Sequence, residues 1–398
     1  MATAVGGTST GFTYFPDNYR WSQQMRSILG TAFYGGADIS EVDRVGRALR
    51  DKVGDDEAWF VAWREAGDLL RQRAIEGEAS RHRVTAAANY LRACYYYQHA
   101  DHFRQPKDEP ALRVFRQSLE CFRKFAALTD RPRIEVVELP FREGSYPAYF
   151  VHAENVEGKR HPCVVRFGGF DTQKEMQYFR GVRDLVRRGI ACLIVDGPGQ
   201  GEAIRFRGMH LRHDFEVAGS AALDYLETRP DVDMNRVGII AMSLGGYYAP
   251  RCAAMDKRYK ACIAWGAMWD YHATWKRRLE RLKQAALPVP VDHLLWACGV
   301  DNYDDALKKL EGFRLDGVAQ KVECPFLLTH GSEDAQVPME DAQKLFDAIG
   351  SKDKTLRIFT PEEGGAQHCQ RDYLTRVCDV VGDWLEEKLD AHAVQVPH

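Results

Sequence analysis

The spacing of hydrophobic residues changes near residue 130 of the 398-residue chain. Before this point, apolar side chains recur every three or four positions, which places them on one face of an α-helix. The stripe formed by Trp59, Trp63 and Leu70 is followed by two more of the same kind. The pattern predicts an N-terminal helical domain over residues 1–130.

After residue 130, short runs of β-branched and aromatic residues alternate with helical segments. Most runs are apolar throughout, as in strands of a parallel sheet that is buried on both faces. The alternation predicts an α/β fold, a mostly parallel sheet with helices on both faces, over residues 131–398. Within it, residues 268–320 show no strand pattern and predict an inserted lid. The predicted strands are RIEVVELPF (133–141), YPAYFVHA (146–153), CVVRFGG (163–169), ACLIVDG (191–197), RVGIIAM (236–242), ACIAWGA (261–267), PFLLTHG (325–331) and TLRIFT (355–360).

A serine stands at the end of the strand RVGIIAM, in the run Ala241-Met242-Ser243-Leu244-Gly245, and a helical pattern begins at once. A strand, a small-x-Ser-x-Gly motif and a helix make up a nucleophile elbow, in which the turn is so tight that its neighbours must be small. Ala241 stands where the first glycine of the motif usually occurs. The alternative is that Ser243 only caps a helix.

An acid and a histidine follow later strands in the order that this motif requires. Asp334 comes just after PFLLTHG, and His368 ends a glycine-rich loop after TLRIFT. The chain order Ser, Asp, His, each at the carboxyl end of a strand, predicts a catalytic triad. His330 is a rival histidine, but it precedes the acid, and we expect it to orient the turn. Asp334 could alternatively serve only as a helix N-cap.

The residue types fit nucleophilic catalysis. A serine hydroxyl is a weak nucleophile until a base removes its proton, and a neutral imidazole is such a base. A buried carboxylate fixes the imidazole tautomer and stabilises the cation that forms. The oxyanion of the intermediate needs backbone N–H donors. We predict the N–H groups of Leu244 and Phe170, because Gly168 and Gly169 let the backbone before Phe170 approach closely.

Two further segments lie near the predicted pocket. Trp269, Tyr271 and His272 follow the strand after the elbow and are candidate substrate-binding residues, although core and lid packing explains them equally well. The run DGPGQGE (196–202) resembles a phosphate loop but lacks its lysine, so it predicts a structural turn near the pocket.

Composition excludes several function classes. A formal net charge of −3 gives no field that would attract nucleic acid. No apolar run is long enough to cross a membrane, and the N-terminus does not resemble a signal peptide, which predicts a cytoplasmic protein. The ten cysteines show neither zinc spacing nor paired motifs. They predict reduced thiols, no metal site and no cofactor.

The motifs together resemble a known superfamily. AMSLGG, DGPGQGE, GSEDAQVP and the loop before His368 resemble those of the α/β-hydrolases. With the helical N-terminal half, FGGFDTQKE and SLGGYYAPR are similar to the 2,6-dihydroxypseudooxynicotine hydrolases and the related polyketide-shortening C–C hydrolases, and more distantly to FrsA-like esterases. The resemblance implies hydrolysis of a C–C bond next to a ketone without a cofactor, in a cleft between the helical half and the core. It also implies a homodimer.

Three functional hypotheses follow. The first is a serine hydrolase that cleaves a C–C bond in a small aryl ketone or polyketide-like substrate through an acyl-enzyme. The second is a carboxylester hydrolase or acyltransferase of the same fold. The third is a non-catalytic relative or a helical interaction module that kept the fold, and the complete Ser, Asp and His set argues against it.

Overall fold

The computed structural model describes residues 12–142, 144–154, 156, 160–285 and 291–391. Five helices come first in this part of the chain. They are α1 (Tyr19–Gly30), α2 (Ile39–Ala48), α3 (Asp56–Ala79), α4 (Arg83–Phe103) and α5 (Glu109–Leu128). The Asp55 carboxylate caps α3 by accepting from the N–H groups of Glu57 and Ala58.

Eight strands form one sheet in the order β1-β2-β4-β3-β5-β6-β7-β8. The pairs β1–β2 and β2–β4 are antiparallel, and the others are parallel. Each predicted strand is present, with bounds that differ by a few residues. The strands are β1 (Ile134–Phe141), β2 (Gly144–Val151), β3 (His161–Phe167), β4 (Ala191–Val195), β5 (Val232–Met242), β6 (Ala261–Trp265), β7 (Phe326–Gly331) and β8 (Lys354–Phe359).

Helices cover both faces of the sheet, which explains why its strands are apolar throughout. Val164 and Ile240 point into one core, with the N-terminal helices, while Val165 and Ile239 point into a second core on the other face. The covering helices are α6 (Lys174–Tyr178), α7 (Val182–Arg187), α8 (Gly201–Arg207), α9 (Glu216–Glu227), α10 (Gly245–Met255), α14 (Met339–Ala348) and α15 (Leu374–Lys388). This is the predicted α/β-hydrolase fold with an N-terminal helical region.

The segment between β6 and β7 is helical. It contains α11 (Tyr271–Ala285), α12 (Val291–Cys298) and α13 (Tyr303–Leu310). Asp270 and Arg314 bridge its two ends in an isolated antiparallel pair. Among the helices of the described residues, none has the length and apolar surface that crossing a membrane requires.

The helix α1 lies in the predicted helical domain and is buried on more than one face. Its core residues Trp21, Met25 and Ile28 recur at helical spacing. Polar residues of the helix are buried as well, namely Ser22, Gln23, Gln24, Arg26 and Ser27. Its polar face packs towards the catalytic half of the chain, as the bond from Arg180 Nη2 to Ser27 Oγ shows (3.3 Å).

Candidate active site

The turn between β5 and α10 holds Ser243 in a strained conformation. Its φ is 59°, in the left-handed region of backbone conformation that residues other than glycine rarely adopt. Such a residue costs on the order of 1–3 kcal/mol and persists only where the surroundings enforce it. Here the Ser243 N–H donates to the Trp265 carbonyl at the end of β6 (2.9 Å), and the Ser243 carbonyl accepts from Gly246 (2.8 Å). The nucleophile elbow therefore has the backbone that its motif predicts.

Close packing around the elbow explains the small residues of the motif. A Cβ atom on Gly246 would lie 1.9 Å from the carbonyl oxygen of Gly266. A Cβ atom on Gly245 would lie 2.5 Å from the Cβ of Ala241. Ala241 therefore fits in place of the usual glycine because the facing residue, Gly245, has no side chain.

The structure brings the three predicted triad residues into one hydrogen-bonded chain. Ser243 Oγ lies 2.9 Å from Nε2 of His368, and Nδ1 of His368 lies 2.7 Å from Oδ2 of Asp334. The side chains of His368 and Asp334 are only 2% and 1% exposed. The second carboxylate oxygen accepts from the N–H groups of Gln336 and Val337 (2.8 and 3.0 Å), which fixes its orientation. Nδ1–H thus donates to Asp334, and Nε2 is free to accept from the serine hydroxyl.

Burial and charge have opposite effects on the pKa values of Asp334 and His368. Burial raises the pKa of Asp334, but the His368 charge and hydrogen bond outweigh it, and the pKa is lowered. Burial lowers the pKa of His368, but the Asp334 charge outweighs it, and the pKa is raised. The Asp334 carboxylate therefore stabilises the protonated form of the His368 ring.

His330, the other histidine considered as the base, has a structural role. His330 lies inside β7, where its Nδ1 accepts from the Ala267 N–H (3.3 Å) and its Nε2 meets the Val337 carbonyl (3.1 Å). Val337 also donates to Asp334. Burial lowers the pKa of His330, which favours the neutral ring. His330 thus holds the turn that carries the acid, as predicted.

Two backbone N–H groups at the elbow have no partner. Within the described residues, neither Leu244 nor Phe170 donates its N–H to an acceptor. The N–H of Gly169 is occupied, since it donates to Thr172 Oγ1 (2.7 Å). A Cβ atom on Gly169 would lie only 2.9 Å from the Cβ of Ser243, so this loop touches the elbow. Leu244, which follows the serine, and Phe170, which follows the loop residue that touches it, thus keep their N–H groups free in the described residues.

The turn DGPGQGE supports the loop that precedes Phe170. The Gln200 amide donates to the carbonyls of Gly168 and Gly169 (2.8 and 3.1 Å) and accepts from the Gly197 N–H (2.9 Å). Asp196, buried at the start of the turn, accepts from the Lys174 N–H (2.7 Å). The segment is the structural turn near the pocket that its sequence predicted.

The three predicted substrate-binding residues occupy different environments. Tyr271 is buried, and its ring packs edge-on against Phe170 at 5.9 Å between centroids. Trp269 is half-buried and bonds through its carbonyl to the N–H of Leu315. His272 is half-buried. Tyr271 is therefore the one with a direct contact to the predicted oxyanion loop, and its role towards substrate remains a prediction.

The helical half and the segment between β6 and β7 bring polar groups to the loop of Phe170 that sequence reasoning missed. Oδ2 of Asp171, the residue after Phe170, lies 3.6 Å from Nε2 of His102 on α4. That same Nε2 is 2.7 Å from the Gln24 amide of α1. His293 of α12 stacks edge-on with Phe170 at 4.8 Å. These residues carry no motif, and only the packing of distant segments brings them to the loop of Phe170 and Asp171.

Comparisons with known proteins show the family to which the chain belongs. The fold and the elbow define a hydrolase of the α/β-hydrolase superfamily. A family model described as "Esterase FrsA-like" matches residues 39–390, so the chain belongs to the FrsA-like esterase family.

Individual relatives extend over nearly the whole chain. The sequence is 28% identical to the hydrolase acrC of Aspergillus aculeatus, over 95% of this chain and 98% of that one. It is 29% identical to 20-hydroxy-prefusarin hydrolase FUS2 of Gibberella moniliformis, over 90% and 94%. The crystal structure of 2,6-dihydroxy-pseudo-oxynicotine hydrolase superposes with a TM-score of 0.77 at 25% identity, over 91% of this chain and 95% of that one. The likeness therefore includes the N-terminal helices as well as the sheet.

Proposed function

We propose that the protein is a serine hydrolase in which Ser243 is the nucleophile, His368 the base and Asp334 the acid that orients the base. The observation that carries the proposal is the continuous hydrogen-bonded chain from Ser243 Oγ to Asp334 at a strained elbow. A hydroxyl that merely capped a helix would need neither the left-handed backbone nor the buried imidazole. The same geometry argues against a non-catalytic relative.

The first chemical step follows from these positions. His368 removes the proton of Ser243 as the oxygen attacks a carbonyl carbon, and the oxyanion accepts hydrogen bonds from the N–H groups of Leu244 and Phe170. The tetrahedral intermediate collapses with loss of the leaving group, to which the imidazolium returns the proton. Water then hydrolyses the acyl-enzyme with His368 again as base.

We assign the bond that breaks as a C–C bond beside a ketone. The resemblance to the 2,6-dihydroxypseudooxynicotine hydrolases favours this chemistry, and the structural likeness over 91% of the chain supports it. The difficult part of C–C hydrolysis is the departure of the leaving group, because breaking a C–C bond in this way produces a carbanion. Only a substrate that delocalises the charge, as a β-dicarbonyl or an electron-rich phenol does, makes the step feasible. The aromatic side chains around Phe170, Tyr271 and Trp275 suit a flat substrate of this kind.

Ester hydrolysis is the second candidate. The description of the matching family model as an esterase favours it, and both reactions share the first tetrahedral intermediate. The two differ only in the group that leaves, an alkoxide or a carbanion. The elbow serves either reaction.

A matched substrate panel tests the assignment. The enzyme is offered an acyl-phenol, a β-diketone and an aryl ester of the same acyl group, and the products are identified by mass spectrometry. C–C hydrolysis yields the carboxylic acid together with the shortened ketone or phenol. Efficient hydrolysis of the aryl ester, without cleavage of the acyl-phenol or the β-diketone, would show that the protein is an esterase and not a C–C hydrolase.

A further inference from the structure

A buried lysine directly follows the predicted oxyanion loop (168–173), which carries Phe170. Lys174 is the first residue of α6, and its side chain is only 1% exposed. Its ammonium nitrogen contacts three carboxylates, those of Glu175 (3.0 Å), Asp196 (3.1 Å) and Glu202 (2.9 Å). Burial lowers the pKa of Lys174, but the charges of Asp196 and Glu175 outweigh it, and the pKa is raised. Lys174 is therefore a charged group inside the protein.

Asp196 joins the start of α6 to the turn DGPGQGE (196–202). Its Oδ1 accepts from the backbone N–H of Lys174 (2.7 Å). Its Oδ2 accepts from the Lys174 ammonium (3.1 Å) and from the backbone N–H of Glu202 (2.8 Å). The packing is tight, because a Cβ atom on Gly201 would lie 2.1 Å from the same Oδ2. Both ends of the turn are thus held at the point where the oxyanion loop enters α6.

The same turn also holds the beginning of the oxyanion loop. The side-chain amide of Gln200 donates to the carbonyls of Gly168 and Gly169 (2.8 and 3.1 Å). The loop is therefore attached to the turn at both of its ends. A Cβ atom on Gly169 would lie 2.9 Å from the Cβ of Ser243, so a shift of this loop changes its position relative to the serine.

The helical half contacts the lysine cluster through the same carboxylates. Gln98 of α4 donates from its side-chain amide to Oε2 of Glu175 (2.9 Å). Arg123 of α5 lies 3.5 Å from Oε2 of Glu202. Two N-terminal helices are therefore linked to the groups that hold the oxyanion loop.

Stability alone does not explain such a cluster. Removing an ammonium and three carboxylates from water has a large desolvation cost, and apolar side chains of similar volume often stabilise a protein interior at least as well. Buried ionic groups can instead specify one conformation among several. The conformation that these contacts define is that of the turn and of the oxyanion loop.

We propose that Lys174 is a positioning residue for the oxyanion hole and couples the helical half to it. The ammonium holds Asp196 and Glu202 at the two ends of the turn, and the turn holds the loop that carries the N–H of Phe170. Without the ammonium, the carboxylates repel one another and the turn shifts, so the Phe170 N–H no longer points at the oxyanion. The inference rests on the proposed function, because it requires an oxyanion formed at Ser243.

The test uses a ligand that forms the oxyanion without being cleaved. Trifluoroacetophenone accepts the Ser243 oxygen at its carbonyl carbon, the serine proton passes to His368, and the carbonyl π electrons become a lone pair on the oxyanion. Its inhibition constant therefore reports how well the oxyanion is bound. The second measurement is kcat and KM for phenyl acetate, which separates loss of transition-state binding from loss of substrate binding.

Lys174→Met should lower kcat by about 10–100-fold and change KM by less than about threefold, because a small displacement of an oxyanion donor is costly. The affinity for trifluoroacetophenone should fall by a similar factor. Asp196→Asn, which keeps the shape of the side chain and removes one of the three negative charges, should give the same division between kcat and KM with a smaller loss. Circular dichroism and melting temperatures show whether each variant is folded.

Arg229 offers a matched control. Its side chain is 12% exposed, and its guanidinium contacts the carboxylates of Asp231 (2.8 Å) and Glu135 (2.9 Å) and lies over the ring of Phe150. It stands before β5, whose opposite end carries Ser243. Arg229→Met should lower the melting temperature but leave kcat and the affinity for trifluoroacetophenone within about twofold of the wild-type values, because the site is remote.

The outcomes separate the role of Lys174 from the serine mechanism. A folded Lys174→Met enzyme with wild-type kcat and ketone affinity overturns the positioning role, as does an equal loss in Arg229→Met. If Lys174→Met does not fold, Asp196→Asn decides in the same way, and failure of both variants to fold assigns the cluster to global stability and overturns the role. A wild-type enzyme that neither hydrolyses phenyl acetate nor binds the ketone overturns the serine mechanism, and the role of Lys174 with it.

Discussion

Replacing Asp334 by asparagine tests the link between the acid and the base. The carboxylate makes two kinds of contact, one oxygen to Nδ1 of His368 and the other to the N–H groups of Gln336 and Val337. An asparagine oxygen can keep the backbone contacts, which leaves its NH₂ group facing Nδ1. Nδ1 must then accept, so the ring proton moves to Nε2, and Nε2 can no longer take the proton of Ser243. The variant should fold but lose its base.

The expected loss is large. A wrong imidazole tautomer lowers kcat by about 10⁴-fold in enzymes with this triad, which corresponds to about 5 kcal/mol of activation free energy. The pH profile adds a second signature. Asp334 raises the pKa of His368, and activity requires the neutral ring, so wild-type kcat/KM falls as the pH drops through that raised pKa. Without the carboxylate charge, the acid limb of the residual activity should move to lower pH.

The assay compares kcat/KM with an aryl ester between pH 5 and pH 10 for the wild type and the variant. Glu333→Gln is the matched control, because Glu333 belongs to the same turn but bonds to Gln367 and not to the imidazole. It should keep most of the wild-type rate. A folded Asp334→Asn enzyme that loses less than about tenfold, or whose acid limb does not move, would refute the assigned roles.

Further predictions concern support and assembly. Gln200→Ala removes the two hydrogen bonds to the loop before Phe170, so kcat should fall by about 10–100-fold with little change in KM. An unchanged kcat with a raised KM would contradict a role in positioning this loop. His330→Ala should reduce activity less than His368→Ala, and equal inactivity of two folded variants would reverse the assignment. A chain lacking residues 1–130 should be insoluble or inactive, because the buried bond between Gln98 and Glu175 would be lost; a soluble, fully active core would disprove this. Light scattering should give twice the 45.3 kDa of one chain, and a monomer would disprove the predicted homodimer.

The sheet and the three residues that meet at the elbow could be predicted from the sequence because each has a local signal. Apolar runs mark strands that are buried on both faces, and Ser243, Asp334 and His368 each lie just beyond such a run. The tight turn also restricts which residues can flank the serine, and Ala241 and Gly245 satisfy that restriction. These features could be read without knowing any long-range contact.

The polar contacts between the helical half and the loop of Phe170 had no such signal. His102 and Asp171 belong to no motif, and their side chains meet at 3.6 Å only because α4 packs against that loop. The contact of Gln24 with His102 likewise joins α1 to α4 across distant parts of the sequence. Polar sites at the junction of distant segments therefore escape local pattern reasoning, since burial is what makes them informative.

Trapping the acyl-enzyme during hydrolysis of a β-diketone tests most directly whether Ser243 is the nucleophile. Acid quenching within the first turnover, followed by peptide mass spectrometry, locates the acyl group. We expect an acyl adduct on the peptide that contains Ser243, and none in the Ser243→Ala variant. Cys369 is the rival nucleophile, because its thiol lies 3.5 Å from Nε2 of His368. Carbon–carbon cleavage without an adduct on Ser243, or with the adduct on Cys369, would show that Ser243 is not the nucleophile.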